Sequence, residues 1–183
     1  MRSETEYNFK AGELTVISVR SSMEAYIRLR NLVFEEGLEK RKTVAVYLLS
    51  RKRDCFVQDL TCKRANVSVH RALAGTLSPS EYMNLLLAGN ELKQAEIYVS
   101  ENEMLIPVDI LAKCKRVDTK NGAVDIIFIE ALSLRKRFKA DREVLEANIR
   151  ALKRVAKELN VAIVTFGLIG KKEAKRLSGE VAE

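Results

Sequence analysis

Five short apolar runs, rich in β-branched residues and separated by stretches of helical periodicity, constrain the fold more than any other feature of this chain. They are "LTVISV" (14–19), "TVAVYLL" (43–49), "AEIYVS" (95–100), "AVDIIFIEALSL" (123–134) and "VAIVTFGLIG" (161–170). Runs without polar alternation read as strands buried on both faces, which is the environment of a parallel sheet. Between them, Met23, Ile27, Leu29, Leu32, Val33 and Leu38 recur at helical spacing from Ser22 to Lys40. A second helix is expected over 54–65 with Asp54 as N-cap, and a third over 78–92, where "SPSE" is a helix-entry signal. Pro107 opens another helix, ending near Asn121-Gly122, and a long helix covers about 141–159 with Leu145, Ile149, Leu152, Val155, Ala156 and Leu159 on one face. Strands alternating with amphipathic helices predict a single α/β domain, a mostly parallel central sheet with helices on both faces and the 123–134 run in the middle. Only residues 1–8 and the tail from Lys171 (171–183) read as loosely ordered.

Composition excludes several classes of function. One histidine, His70, leaves no imidazole cluster for a metal or a catalytic triad, and Cys55, Cys62 and Cys114 have no paired spacing, so no metal and no disulfide framework is expected. No apolar run reaches membrane-spanning length and the N-terminus lacks an apolar leader core, so the expectation is a cytoplasmic protein without membrane contact. The net charge of +7 favours an anionic partner without naming one.

The stretch "ELTVISVRSSMEAYIRLRNLVFEEGL" (13–38) has the strand, turn and helix that usually frame a phosphate-binding loop. Such a loop needs glycines, so that backbone N–H groups approach phosphate, then a lysine and a magnesium-binding hydroxyl. This one has no glycine and no lysine.

Three stretches carry a resemblance. "FKAGELTVISVRSSM" resembles the entry to the ATPase core of DnaB-type replicative DNA helicases, a RecA-like group, with Gly12, Glu13, Leu14, Arg20, Ser22 and Met23 matching. "VSVHRALAGTLSPSEYMNLLLAGNELKQAEIYVSE" and "ALKRVAKELNVAIVTF" are similar to later runs of that core, in the same order. The resemblance covers about Phe9 to Lys175 and implies one truncated RecA-like three-layer sandwich spanning 1–183.

Carried over residue by residue, the family's loop glycine, lysine and threonine fall on Glu24, Ala25 and Tyr26. Its water-activating glutamate falls on Ser50, its Walker B aspartate on Glu130 and its glutamine at the end of the fifth strand on Leu168. A carboxylate at Glu24 repels phosphate, by about 4 kcal/mol at 4 Å and intermediate dielectric, Ala25 removes the attracting charge, and Tyr26 is too bulky for a magnesium site. Phosphoryl transfer depends on positioning and charge stabilisation, so the expectation is no catalysis and no cofactor. Glu130 keeps a carboxylate, and its plain reading is an acid exposed at the sheet edge, satisfied by solvent or a neighbouring cation.

Basic groups survive. The resemblance places the loop after the central strand toward single-stranded DNA, and here it reads Arg135, Lys136, Arg137, Phe138 and Lys139, with Arg142 beyond. The cations suit phosphates and Phe138 suits a base; the alternative is a solvated loop. Lys171, Lys172, Lys175 and Arg176 follow the fifth strand, either as a DNA contact or as a frayed tail. Arg51, Lys52 and Arg53 follow the second strand, at the same carboxyl edge of the sheet, so the three groups together would form one basic rim. Two readings follow: an inactive DnaB-like protein of replication or repair that binds single-stranded DNA, or a module docking on the replicative helicase or its loader, with homo-oligomers open. An active helicase would need a replacement lysine the loop does not offer.

Overall fold

The computed structural model describes residues 7–101, 112, 123–132, 139–168, 174, 176 and 178. In chain order the elements are strand β1 (Leu14–Ser18), helix α1 (Ser22–Val33), strand β2 (Val44–Leu48), helices α2 (Arg53–Ala65), α3 (Val69–Leu73) and α4 (Pro79–Gln94), strands β3 (Ile97–Glu101) and β4 (Ile126–Leu132), helix α5 (Lys139–Leu159) and strand β5 (Ala162–Gly167). The sheet order is β1-β5-β4-β2-β3 and every neighbouring pair is parallel. The five apolar runs are these five strands, and β4 is central as its composition implied. The helix expected from Pro107 and the turn at Asn121-Gly122 lie outside the described residues.

Alternating residues of the sheet feed two cores. Leu14, Val16, Tyr47, Ile127, Ile129 and Ile163 meet Ile149, Leu152, Val155 and Ala156 of α5. Ile17, Val44, Val46, Leu48, Phe128, Val164 and Phe166 meet Ala25, Leu29 and Val33 of α1 with Phe56 and Leu60 of α2. The result is the expected three-layer sandwich, with β2, β4 and β5 buried on both faces and the edge strand β3 only half-buried.

Local details depart from the periodic reading. Helix α4 has the full capping box, with the Ser78 hydroxyl on the Glu81 amide and the Glu81 carboxylate on the Ser78 amide, and Pro79 in the first turn. Helix α2, by contrast, begins at Arg53 behind Lys52, so Asp54 lies inside the first turn and is not the N-cap. There its charge still complements the helix dipole. Helix α3 answers to no expectation; its five residues are too few to show a period. The tail expected to be loose touches the body at three places. Ala174 is buried in the α5-side core, Arg176 lies 3.3 Å from Glu146, and the Ser178 hydroxyl accepts the Val16 N–H at 2.8 Å.

The helix expected to run unbroken to Lys40 changes pitch, and Phe34–Glu39 is π-helical. This wider turn sets Gly37 where a Cβ would lie 2.7 Å from the Ile97 side chain. It also buries the Glu36 carboxylate, which accepts from Lys40 Nζ at 2.8 Å and Lys42 Nζ at 2.6 Å. Burial pushes the Glu36 carboxyl up, but the two lysine hydrogen bonds outweigh it and hold the group below the usual carboxylate range. A carboxyl depressed on folding stabilises the fold fully above its unfolded value and loses that contribution as pH falls through the folded one. Denaturation midpoints should therefore fall as pH drops below the ordinary carboxylate value of about 4.5. In Glu36→Gln that acid-dependent loss should shrink, which paired denaturation curves at each pH would measure.

Candidate functional site

The carboxyl ends of β1, β2, β4 and β5 converge where such folds bind their ligands. Between β1 and α1 the chain turns through Arg20 and Ser21. Ser21 is the N-cap of α1, its hydroxyl accepting the Glu24 N–H at 3.1 Å. Glu24 reaches back so that one carboxylate oxygen accepts the Arg20 N–H at 2.8 Å. Its other oxygen takes the Arg28 guanidinium, from Nε at 3.1 Å and Nη2 at 2.9 Å. Arg28 Nη1 donates to the Tyr7 hydroxyl at 3.1 Å, and Tyr7 stacks on Phe9 at 5.6 Å. The Arg20 backbone N–H holds the Glu24 carboxyl below its ordinary range; desolvation opposes it, and the Arg28 charge and hydrogen bond add to the lowering. A backbone donor and a cation that could meet a phosphate thus meet the chain's own carboxylate.

The next two residues point inward. Ala25 is 1% exposed and Tyr26 is 6% exposed, both in the core between α1, α2 and the sheet. The Tyr26 ring meets Phe56 edge-on at 6.0 Å and its hydroxyl donates to Asp59 of α2. Burial, then the Asp59 carboxylate, raises the Tyr26 hydroxyl far above its ordinary value, so it stays a neutral donor. The Arg51 guanidinium covers the outer face of the ring, 3.9 Å from its centroid.

Glu130 closes the opposite wall. The β4–β5 register is irregular between Ile129 and Leu132, the kind of slip that re-aims a side chain. The Glu130 carboxylate accepts the Leu49 N–H at 2.7 Å, the Ser50 N–H at 2.8 Å and the Ser50 hydroxyl at 2.8 Å, with Arg51 Nε at 3.6 Å. It is 5% exposed, which corrects the expectation of an acid exposed at the sheet edge. Neighbours satisfy it, as expected, but they are mainly the backbone and hydroxyl at the end of β2. Ser50 is thereby bound to Glu130, and Leu168 packs half-buried against the core under α1. Among the described residues no three His, Cys, Asp or Glu side chains gather in a way that would hold a metal.

The basic rim is only partly placed. Arg51 is not the free cation the sequence implied, because it is folded over Tyr26 and toward Glu130. Lys52 is exposed, 4.0 Å from Glu101, and the exposed Arg53 donates its backbone N–H to Glu101 at 2.6 Å. Arg135, Lys136, Arg137, Phe138, Lys171 and Lys172 lie outside the described residues; Lys139 and Arg142 begin α5. Two partners escaped the sequence reading. Asp59 sits 33 residues from Tyr26 and is joined to it only by the packing of α1 on α2. The Ser21 cap on the Glu24 N–H did have a signal, the Ser-x-x-Glu spacing of a helix start.

At the carboxyl edge of this parallel sheet, the loop between β1 and α1 and the acid at the end of β4 are each engaged by groups of the chain itself. The family model for the DnaB-like helicase C terminal domain matches residues 4–178. The chain belongs to this family. Among curated proteins, the domain is 25% identical over 173 residues to the replicative DNA helicase DnaB of Geobacillus stearothermophilus, covering 92% of this chain and 38% of that protein. It is 23% identical over 168 residues to the replicative DNA helicase DnaC of Bacillus subtilis (strain 168), covering 89% and 37%. The DnaB-like chain therefore spans under two fifths of the length of these relatives. Its fold matches a solved ATPase domain with a TM-score of 0.75 at 16% identity, covering 94% of this chain and 66% of that one. It also matches a DnaB-like replicative helicase solved for its interactions with primase, with a TM-score of 0.74 at 16% identity, covering 90% and 40%. Among the described residues no helix is long and apolar enough to cross a membrane.

Proposed function

We propose that this DnaB-like domain is a pseudo-ATPase of DNA replication or repair that binds single-stranded DNA through the rim at the carboxyl edge of its sheet. The observation that carries the first half is the filled site: Glu24 holds the loop's Arg20 N–H, Tyr26 is locked between Asp59 and Arg51, and Glu130 is engaged by Ser50 and Leu49. The second half is supported by the relatives, which are named DNA helicases, and by Lys52 and Arg53, exposed past the end of β2. The neighbouring strand in the sheet is β4, and Arg135, Lys136 and Arg137 follow it closely in sequence. Arg51 is left out of the contact because it is engaged within the domain.

Anisotropy of a labelled single strand across a salt series tests this reading. Binding should weaken with salt, and Arg135→Ala/Lys136→Ala/Arg137→Ala should lower the log–log slope by about 2, at roughly 0.7 for each phosphate no longer neutralised. An unchanged slope would remove the rim from the proposal. A second reading, docking on a replicative helicase or its loader, is favoured by one observation. Leu73, Tyr82, Met83, Leu86 and Leu87 of α3 and α4 are each between 47% and 69% exposed. Such a group is characteristic of interaction surfaces. Pull-down of the helicase, lost in Leu86→Glu/Leu87→Glu but kept in the rim variant, would decide for it.

A further inference from the structure

A second set of cations lies on the C-terminal half of α5. Arg150, Lys153, Arg154 and Lys157 follow the spacing i, i+3, i+4, i+7 and so share one helix face. That face lies away from Ile149, Leu152, Val155 and Ala156, which pack on the sheet. Arg150, Arg154 and Lys157 are exposed and Lys153 is half-buried.

Several cations elsewhere on the surface pair with a carboxylate at close range: Arg28 with Glu24, Lys40 with Glu35 and Glu36, Arg64 with Glu91, and Arg71 with Glu81. Exposed Lys10, Arg20, Arg41 and Lys93 have no such pair among the described residues, but none of them shares a helix face with other unpaired cations. Among the described residues no carboxylate pairs with any of the four on α5. The helix dipole does not explain them all. Its reach is confined to the last turn, which Lys157 occupies, whereas Arg150 and Lys153 lie further in.

The stripe runs about 10 Å along the helix, at 1.5 Å per residue. One strand of a duplex carries a phosphate about every 3.4 Å, so the stripe can face roughly three phosphates. The apolar face of α5 is already buried, which excludes insertion into a membrane or capture as an amphipathic peptide. No aromatic residue lies between Arg150 and Lys157, so unpaired bases have nothing to stack on. Topology sets its place: α5 runs from the carboxyl end of β4 to the amino end of β5, so the stripe approaches the sheet edge opposite the rim.

We infer that Arg150, Lys153, Arg154 and Lys157 form a second nucleic-acid contact, for the phosphate backbone of a duplex and without sequence preference. This goes beyond the rim reading and uses none of its residues. The test is anisotropy of a short labelled duplex across a salt series, with the full chain and with Arg150→Ala/Arg154→Ala/Lys157→Ala. The variant should bind the duplex at least roughly tenfold more weakly at low salt, with a log–log slope smaller by about 2–3. Its single-strand binding and its melting curve should be unchanged, and Arg150→Lys/Arg154→Lys should retain duplex binding. The inference is overturned if the full chain does not bind duplex at low salt, or if the triple variant keeps the full slope. It is also overturned if polyglutamate of equal charge competes as well as duplex, since that would point to an acidic protein surface.

Discussion

Glu130→Ala should destabilise the domain by about 3–5 kcal/mol, the scale of removing one partner from a buried charged network. The carboxylate is the acceptor for Leu49 N–H, Ser50 N–H and the Ser50 hydroxyl, and all three are stranded when it is removed. Leu49 is half-buried and Ser50 exposed, so water can reach part of this set. A donor left unpaired costs about 1–3 kcal/mol, and three lost partners around one buried acid still leave a large loss. Glu130→Gln keeps one acceptor and should cost less. Urea denaturation reads both directly. An acid kept only as a remnant of catalysis would behave differently, because its removal would leave the fold within about 1 kcal/mol of the parent.

The second large effect is at Tyr26. Tyr26→Thr, which restores the hydroxyl residue expected at this place in a working loop, should cost about 3–5 kcal/mol, as deletions of large buried aromatics do. The loss has three sources: the packing on Phe56, the hydrogen bond to Asp59 and the platform beneath Arg51. Tyr26→Phe separates them, since it removes only the Asp59 bond and should cost about 1–2 kcal/mol. If Tyr26→Thr were as stable as the parent, the ring would be a passenger and the filled site would not be part of the folded core.

The layered α/β fold could be read from the chain because buried parallel strands have no polar alternation and amphipathic helices repeat at 3.6. Both patterns are local, and α4 even announced its start through Ser78, Pro79 and Glu81. The same locality explains what could not be read. The π-helical turn at Phe34–Glu39 brings Gly37 against Ile97 of β3, 60 residues away, and no local periodicity near Gly37 marks that approach. The residues of the loop that carry the proposal, Glu24, Ala25 and Tyr26, were visible because each is one position in a stretch that resembles a motif. The network these side chains form was not, since Tyr26, Asp59, Arg51 and Glu130 come from α1, α2, the end of β2 and β4. Arg51 shows the cost: in sequence it is one of three adjacent cations, and only the fold turns it inward.

Calorimetric titration of the domain with magnesium and ATP tests the filled site most directly. No heat of binding should appear up to millimolar nucleotide, and the melting temperature should not move, because a ligand stabilises only what it binds. Saturable binding, with a dissociation constant below about 0.1 mM and a matching rise in melting temperature, would contradict it. Glu24, Tyr26 and Glu130 would then have to move aside for a nucleotide.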